Sequence, residues 1–139
     1  MIRELLHLFA PLTANCKDFT QQWNEASTGD PSSPGGRWEG EWRSAASSHH
    51  GPLRAVVDVT SPSVWHVSFR AEYGRVLRAC YATDFTVAAQ DARWTFTGGS
   101  DLGALAGGRY DYSGSATLTD MICTYRSSAD HGEFRLRKA

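Results

Sequence analysis

Gly36-Arg37-Trp38-Glu39-Gly40-Glu41-Trp42-Arg43-Ser44 alternates without a break: even positions are small or aromatic, and odd positions are charged. Side chains of an extended strand point to opposite faces in turn, so the pattern predicts a β-strand with one face in a core and the other in water. On the apolar face two tryptophans alternate with glycine and serine. Bulky rings beside missing side chains suit the tapering, tightly curved inside of a small barrel.

Downstream of this strand, similar runs alternate with turn signals. Leu53 to Thr60 is β-branched and stops at Ser61-Pro62, and Val64 to Tyr73 places Trp65, Val67, Phe69, Ala71 and Tyr73 on one face. Gly74-Arg75 reads as a tight turn into Val76 to Ala88, which offers Leu77, Ala79, Tyr81, Thr83, Phe85 and Val87 on one side. Arg93 to Thr97 follows, then five glycines in the eleven residues from Gly98 to Gly108, which read as an ordered loop. Arg109 to Leu118, Met121 to Ser127 and Glu133 to Arg137 complete eight strands. Short connections without a crossover helix predict an antiparallel up-and-down meander, and closing it removes exposed edges. A Greek-key sandwich would need longer returns. The expected fold is therefore mainly β, an eight-stranded antiparallel up-and-down barrel.

Upstream, residues 2 to 26 read as helix. Ile2, Leu5, Leu6, Phe9, Leu12, Cys16, Phe19 and Trp23 advance by three or four residues and share one stripe, with Pro11 dividing a short first piece from a longer second one. The stripe is expected to pack against the rest of the domain, the alternative being a partner helix or a homodimer. A Pro/Gly/Ser-rich stretch separates helix from strands. The expected organisation is one domain over residues 1–139, with a helical segment at 1–27, a linker at 28–36 and the barrel at 37–139.

A domain of 139 residues can hold a core without staples. Fourteen basic residues against fifteen acidic, in no long block, give no support to phosphate-tracking nucleic-acid binding or polybasic membrane attachment. No run approaches the roughly 20 apolar residues of a membrane span. Cys16, Cys80 and Cys123 stand far apart with no CxxC or metal-ligand spacing. An odd number without a disulfide pattern predicts buried thiols in a reducing, cytoplasmic setting. Leu12-Thr13-Ala14-Asn15-Cys16 faintly resembles a lipoprotein cleavage box, but Asn15 stands where a small residue is wanted.

Gly36-x-Trp38 in the first strand, a helix before it, and Arg137 in the last strand together resemble the calycin superfamily of lipocalins, fatty-acid-binding proteins and avidins. The resemblance implies that Trp38 packs at the closed end of the barrel near Arg137, as structural residues, and that the N-terminal helix closes one end. The chain departs from lipocalins in cysteine pairing and strand length, so the resemblance supplies architecture and no specific ligand.

The strand alternation points Trp42, Trp65, Phe69, Tyr81, Trp94, Tyr112 and Tyr125 inward, with Gly40, Ser44, Ala79, Gly114 and Ala116 between them. These rings either fill a small barrel or line a cavity for a small hydrophobic or aromatic molecule. Binding of such a molecule, without a cofactor, is the expected function. Trp42 lies deeper toward the mouth, and His50 of Ser47-Ser48-His49-His50-Gly51-Pro52 sits beside that mouth. Adjacent histidines cannot complete a tetrahedral metal site unless His66 or His131 converges on them, so no metal is expected. Glu72, Asp84, Glu133, His50 and His131 are the acid–base candidates of a rival reading, an isomerase or hydrolase of small hydrophobic substrates. Asp130-His131-Gly132 reads as a hairpin turn, no residue stands out as a nucleophile, and the 98–108 loop lacks the GxxxxGK[ST] order of a phosphate cradle. A protein-interaction module, with Trp23 or a detached helix exposed, is the third class.

Overall fold

The computed structural model describes residues 16–26, 30–74, 77–101 and 108–139. They form a helix, α1 (Cys16–Glu25), and eight strands: β1 (Gly36–Ser44), β2 (His50–Ser61), β3 (Val64–Tyr73), β4 (Leu77–Gln90), β5 (Arg93–Asp101), β6 (Arg109–Ala116), β7 (Asp120–Arg126) and β8 (His131–Lys138). Each strand pairs antiparallel with the next in sequence, and β8 returns to β1, so the meander is a closed barrel. Residues 2–15, including the Pro11 division and most of the apolar stripe, lie outside the described residues.

Alternation decides which side chains enter the core. Trp38 and Trp42 of β1 are buried, while Glu39, Glu41 and Arg43 between them are exposed. The glycines between the rings are set by contact rather than by turns. A Cβ on Gly40 would stand 1.8 Å from the Arg135 carbonyl oxygen of β8, and one on Gly114 would stand 2.2 Å from that of Ile122. Only glycine lets these neighbouring backbones come so near.

The glycine-rich segment behaves differently from its composition. β5 continues through Gly98 and Gly99 to Asp101, because both glycines serve as floor beneath other groups. The Phe85 ring lies over Gly98 and the Arg109 guanidinium over Gly99. Other strands shift by a few residues: β2 begins at His50 rather than Leu53, and β8 begins at His131 inside the expected turn. Short turns close through Ser and Thr side chains, as where Thr117 Oγ1 accepts from the Thr119 and Asp120 amides.

The described helix does not close an end of the barrel. Cys80 faces outward from β4, between inward Ala79 and Tyr81, and forms a disulfide with Cys16. From that anchor α1 lies across the outer wall. Phe19, buried, covers Arg70 of β3 at 5.6 Å from its ring, and Trp23 covers Arg54 of β2 at 4.8 Å and Arg37 of β1 at 5.2 Å. Arg37 also caps the helix, its Nε donating to the Trp23 carbonyl oxygen at 2.7 Å. Cys16, Phe19 and Trp23 are the stripe read from sequence, and they meet this chain's own barrel wall. The disulfide also corrects the expectation of unpaired thiols, since only Cys123 among the described cysteines is free. Residues 64 apart in sequence with no motif around them carry no pairing signal.

Candidate functional site

The barrel interior divides into two halves of different chemistry. Its lower end, where β2–β3, β4–β5 and β6–β7 turn, holds the tryptophans Trp38, Trp65 and Trp94. Trp65 and Trp94 meet edge to face at 5.6 Å, and the fully buried Trp38 donates its indole N–H to the Pro34 carbonyl oxygen at 2.9 Å. Above them runs a continuous set of rings: Phe85 stacks on Phe96 at 4.4 Å, Phe69 stacks on Tyr81 at 5.2 Å, and Phe69 faces Phe134 at 5.5 Å. Phe134 in turn stacks on Tyr125 at 5.0 Å.

At the upper end the interior becomes polar. Tyr110, Tyr112 and Tyr125 are buried, as are Ser44, Thr83 and Asp130. Asp130 precedes β8 in the same inward phase as Gly132, Phe134 and Leu136. Its carboxylate accepts from Ser44 Oγ at 2.6 Å, from the Tyr125 hydroxyl at 3.0 Å and from the His131 amide at 2.8 Å. These bonds tie the β1 end to the β7–β8 turn. Two hydroxyls nearby lack any such partner: Tyr110 Oη and Ser100 Oγ, on residues paired across β5 and β6, are buried without a hydrogen bond. Each has a neighbour that falls short of a hydrogen bond: Ser127, close enough to act on the Tyr110 phenol, donates instead to the Asp130 carbonyl oxygen at 3.2 Å, and Ser100 is close enough to act on the Tyr112 phenol without bonding it. Native proteins seldom leave buried hydroxyls unpaired, because each costs the hydration it has lost.

Burial dominates the acidities here. It pushes the Tyr110 phenol up to about 12, with the Asp130 carboxylate adding to the rise. Burial likewise raises Tyr112, and raises Tyr125, on which Asp130 also acts. Tyr81 has a partly exposed ring, yet its phenol lies among Tyr112, Cys123 and Tyr125 and is driven well up by burial. The Cys123 thiol is pushed up to about 12 by burial, so it stays protonated and unreactive near neutrality. The upper end thus presents hydroxyl groups, π-faces and one carboxylate already holding three donors. That arrangement can stack an aromatic compound and exchange hydrogen bonds with it. Among the described residues it contains no activated nucleophile.

The wall is looser on one side. Pairing of β4 with β5 runs from Gln90↔Arg93 to Phe85↔Gly98. Beyond it Thr83 Oγ1 donates to the Gly99 carbonyl oxygen at 3.1 Å, and Tyr81 lies further along that seam. A depression of about 590 Å³ at the upper ends of β1, β6, β7 and β8 is lined by Arg43, Asp111, Arg126 and Glu133 together with Ser44, Tyr112 and Tyr125.

Of the expected ligand residues, Trp42, Tyr81, Tyr112 and Tyr125 lie in the upper half, and Phe69 joins the two halves. Trp65 and Trp94 belong to the lower cluster. Trp42 donates its indole N–H to the Glu72 carbonyl oxygen at 2.8 Å and lies 6.2 Å from the Tyr73 ring. His50 is a correction: it pairs with outward-facing Arg43 and is exposed on the outer wall. The histidine at the mouth is its neighbour His49, edge-on to Tyr73 at 5.2 Å. Arg137 is a second correction. It pairs with outward Glu39, its side chain is 80% exposed, and it reaches Asp120 at 3.4 Å. Lys138, one residue on and therefore on the inward face, takes the place over the Trp38 ring at 5.8 Å.

The acid–base candidates all face outward. Glu72 sits between Arg70 and Arg78 at 3.9 and 4.0 Å, Asp84 pairs with His66 at 2.7 Å, Glu133 with Arg135 at 3.0 Å, and His131 is exposed. The described residues contain no cluster of three or more His, Cys, Asp or Glu placed to hold a metal. No described helix is long and apolar enough to cross a membrane. Sequence reasoning missed Asp130, Ser100 and Tyr110. Parity could have found them: Tyr110 is in phase with Tyr112, Ser100 with Phe96, and Asp130 with Phe134.

No family model matches the chain, and no curated protein or solved structure matches it. The closed eight-stranded barrel is compatible with a calycin-like fold.

Proposed function

We propose that this protein binds a small aromatic or apolar molecule at the upper end of its barrel, with calycin-like architecture as the scaffold. The observation that carries this reading is the pair of buried, unpartnered hydroxyls, Tyr110 Oη and Ser100 Oγ, set beside stacked rings. A ligand polar group would satisfy both, and Tyr112, Tyr125, Tyr81 and Trp42 would supply contact area. The lower tryptophans and Phe96 act as the packed floor. An enzyme on this barrel has less support, since Glu72 and Asp84 point away from the interior.

The disulfide also bears on location. We read Cys16–Cys80 as the mark of maturation in an oxidising compartment rather than the cytoplasm.

Native mass spectrometry of freshly purified protein, paired with quenching of tryptophan fluorescence by a panel of hydrophobic compounds, tests the binding proposal. A co-purifying small molecule or saturable quenching by an aromatic member supports it. Bare protein with fluorescence unchanged across the panel overturns it in favour of a barrel filled by its own rings.

A further inference from the structure

The charge balance of the upper end narrows the ligand beyond its being aromatic, and rests on the binding proposal above. Among the described residues, the buried polar or charged ones are Ser44, Ser68, Thr83 and Asp130. Ser68 faces α1 on the outer wall, so the one buried ionisable side chain of that set inside the barrel is an acid. The described cations lie elsewhere: Arg70 is outside under Phe19, Lys138 is at the lower end over Trp38, and Arg109 is on the outer face across Gly99.

Asp130 already accepts three hydrogen bonds, from Ser44, Tyr125 and the His131 amide. Its field reaches both Tyr110 and Tyr125. An anion set against Tyr110 would meet this carboxylate in surroundings where charges are poorly screened, with no interior Arg or Lys among the described residues to offset the repulsion. The unpartnered groups of the upper end, Tyr110 Oη and Ser100 Oγ, are by contrast neutral hydroxyls, each able to donate one hydrogen bond.

We infer that the upper end selects an uncharged aromatic molecule that presents a hydrogen-bond acceptor, such as a carbonyl oxygen, to Tyr110 and Ser100, and that it discriminates against the carboxylate of the same skeleton.

The test is a matched pair, naphthamide and naphthoate, titrated into the full chain at neutral pH by calorimetry. The amide is expected to bind more tightly, on the order of tenfold or more. The variant Asp130→Asn is expected to narrow that gap by improving naphthoate. Because Asp130 also ties two turns together, Tyr110→Phe serves as a second variant that leaves those turns intact. It is expected to weaken the amide roughly tenfold while leaving naphthoate nearly unchanged. Equal binding of the two compounds, or tighter binding of naphthoate, overturns the charge selection alone. Binding of neither compound, together with no response to any uncharged aromatic in the wider panel, overturns the binding proposal beneath it.

Discussion

Phe69 of β3 and Phe134 of β8 face one another across the barrel interior with ring centroids 5.5 Å apart, although two strands separate them around the wall. This contact divides the tryptophan-lined lower half from the hydroxyl-bearing upper half. Each ring also touches others, Phe69 reaching Tyr81 and Phe85, and Phe134 reaching Tyr112 and Tyr125. Cutting Phe134 to alanine therefore removes a shared partner. We expect a loss of roughly 3–5 kcal/mol, read from the chemical-denaturation midpoint at unchanged slope.

The glycines of the barrel wall give a sharper contrast. Gly40→Ala places a Cβ against the backbone of β8 and should cost at least the roughly 1–3 kcal/mol of an overpacked core. At Gly74, where φ is +62° and nothing lies within 4 Å, alanine meets only backbone strain, about 1 kcal/mol. Comparing thermal unfolding of the two variants checks the ranking.

Much of this architecture was legible because a period of two is a strong signal when charges and rings alternate as they do from Gly36 to Ser44. Parity also settles most inward residues. It fails where an element boundary is misjudged. Ending β5 at Thr97 hid Ser100, and reading Asp130 as a turn hid a carboxylate that faces the core. Arg137 shows the converse error, since a family likeness suggested an inward role that a one-residue offset gives to Lys138. The helix position could not be read at all, because it depends on a disulfide between cysteines that no local pattern links.

Reduction of that disulfide should weaken the fold. Closing a separation of 64 residues restrains the unfolded chain, and its release costs up to about 4 kcal/mol in the chain-entropy limit. Hydrogen exchange should show α1 losing protection before the barrel does. The Cys16→Ser variant should reproduce the effect, and the wild-type midpoint should fall in reductant while the variant's does not.

Stability should also fall in base. Below pH 10 the phenols of Tyr81, Tyr110, Tyr112 and Tyr125 are neutral in the folded and the unfolded chain alike. Between pH 10 and about 12 the unfolded chain releases the Tyr110 proton while the folded chain keeps it, which draws the equilibrium toward unfolding. The contribution is thus full below pH 10 and is lost as pH rises through the folded value. Tyrosinate absorbance from these four residues, followed in a Tyr73→Phe background, should accordingly rise in step with loss of the near-ultraviolet circular dichroism signal, not ahead of it.

Tyr110→Phe separates a structural hydroxyl from a binding one. Removing an unpaired buried group should leave stability unchanged or raise it, by up to roughly 1–3 kcal/mol, in a thermal or denaturant titration without ligand. A clear loss of stability would mean that the hydroxyl is bonded in the folded protein.

The five tryptophans offer the most direct test of where a ligand sits, because Trp23 lies on the outer wall, Trp38, Trp65 and Trp94 at the lower end, and Trp42 at the upper end. Indole N–H resonances, assigned by single Trp→Phe variants and followed during titration with naphthamide, report each place separately. A saturating shift of Trp42, with Trp23, Trp38, Trp65 and Trp94 nearly still, is the predicted result. Shifts at Trp23 or at the lower tryptophans with Trp42 unmoved would contradict binding at the upper end of the barrel.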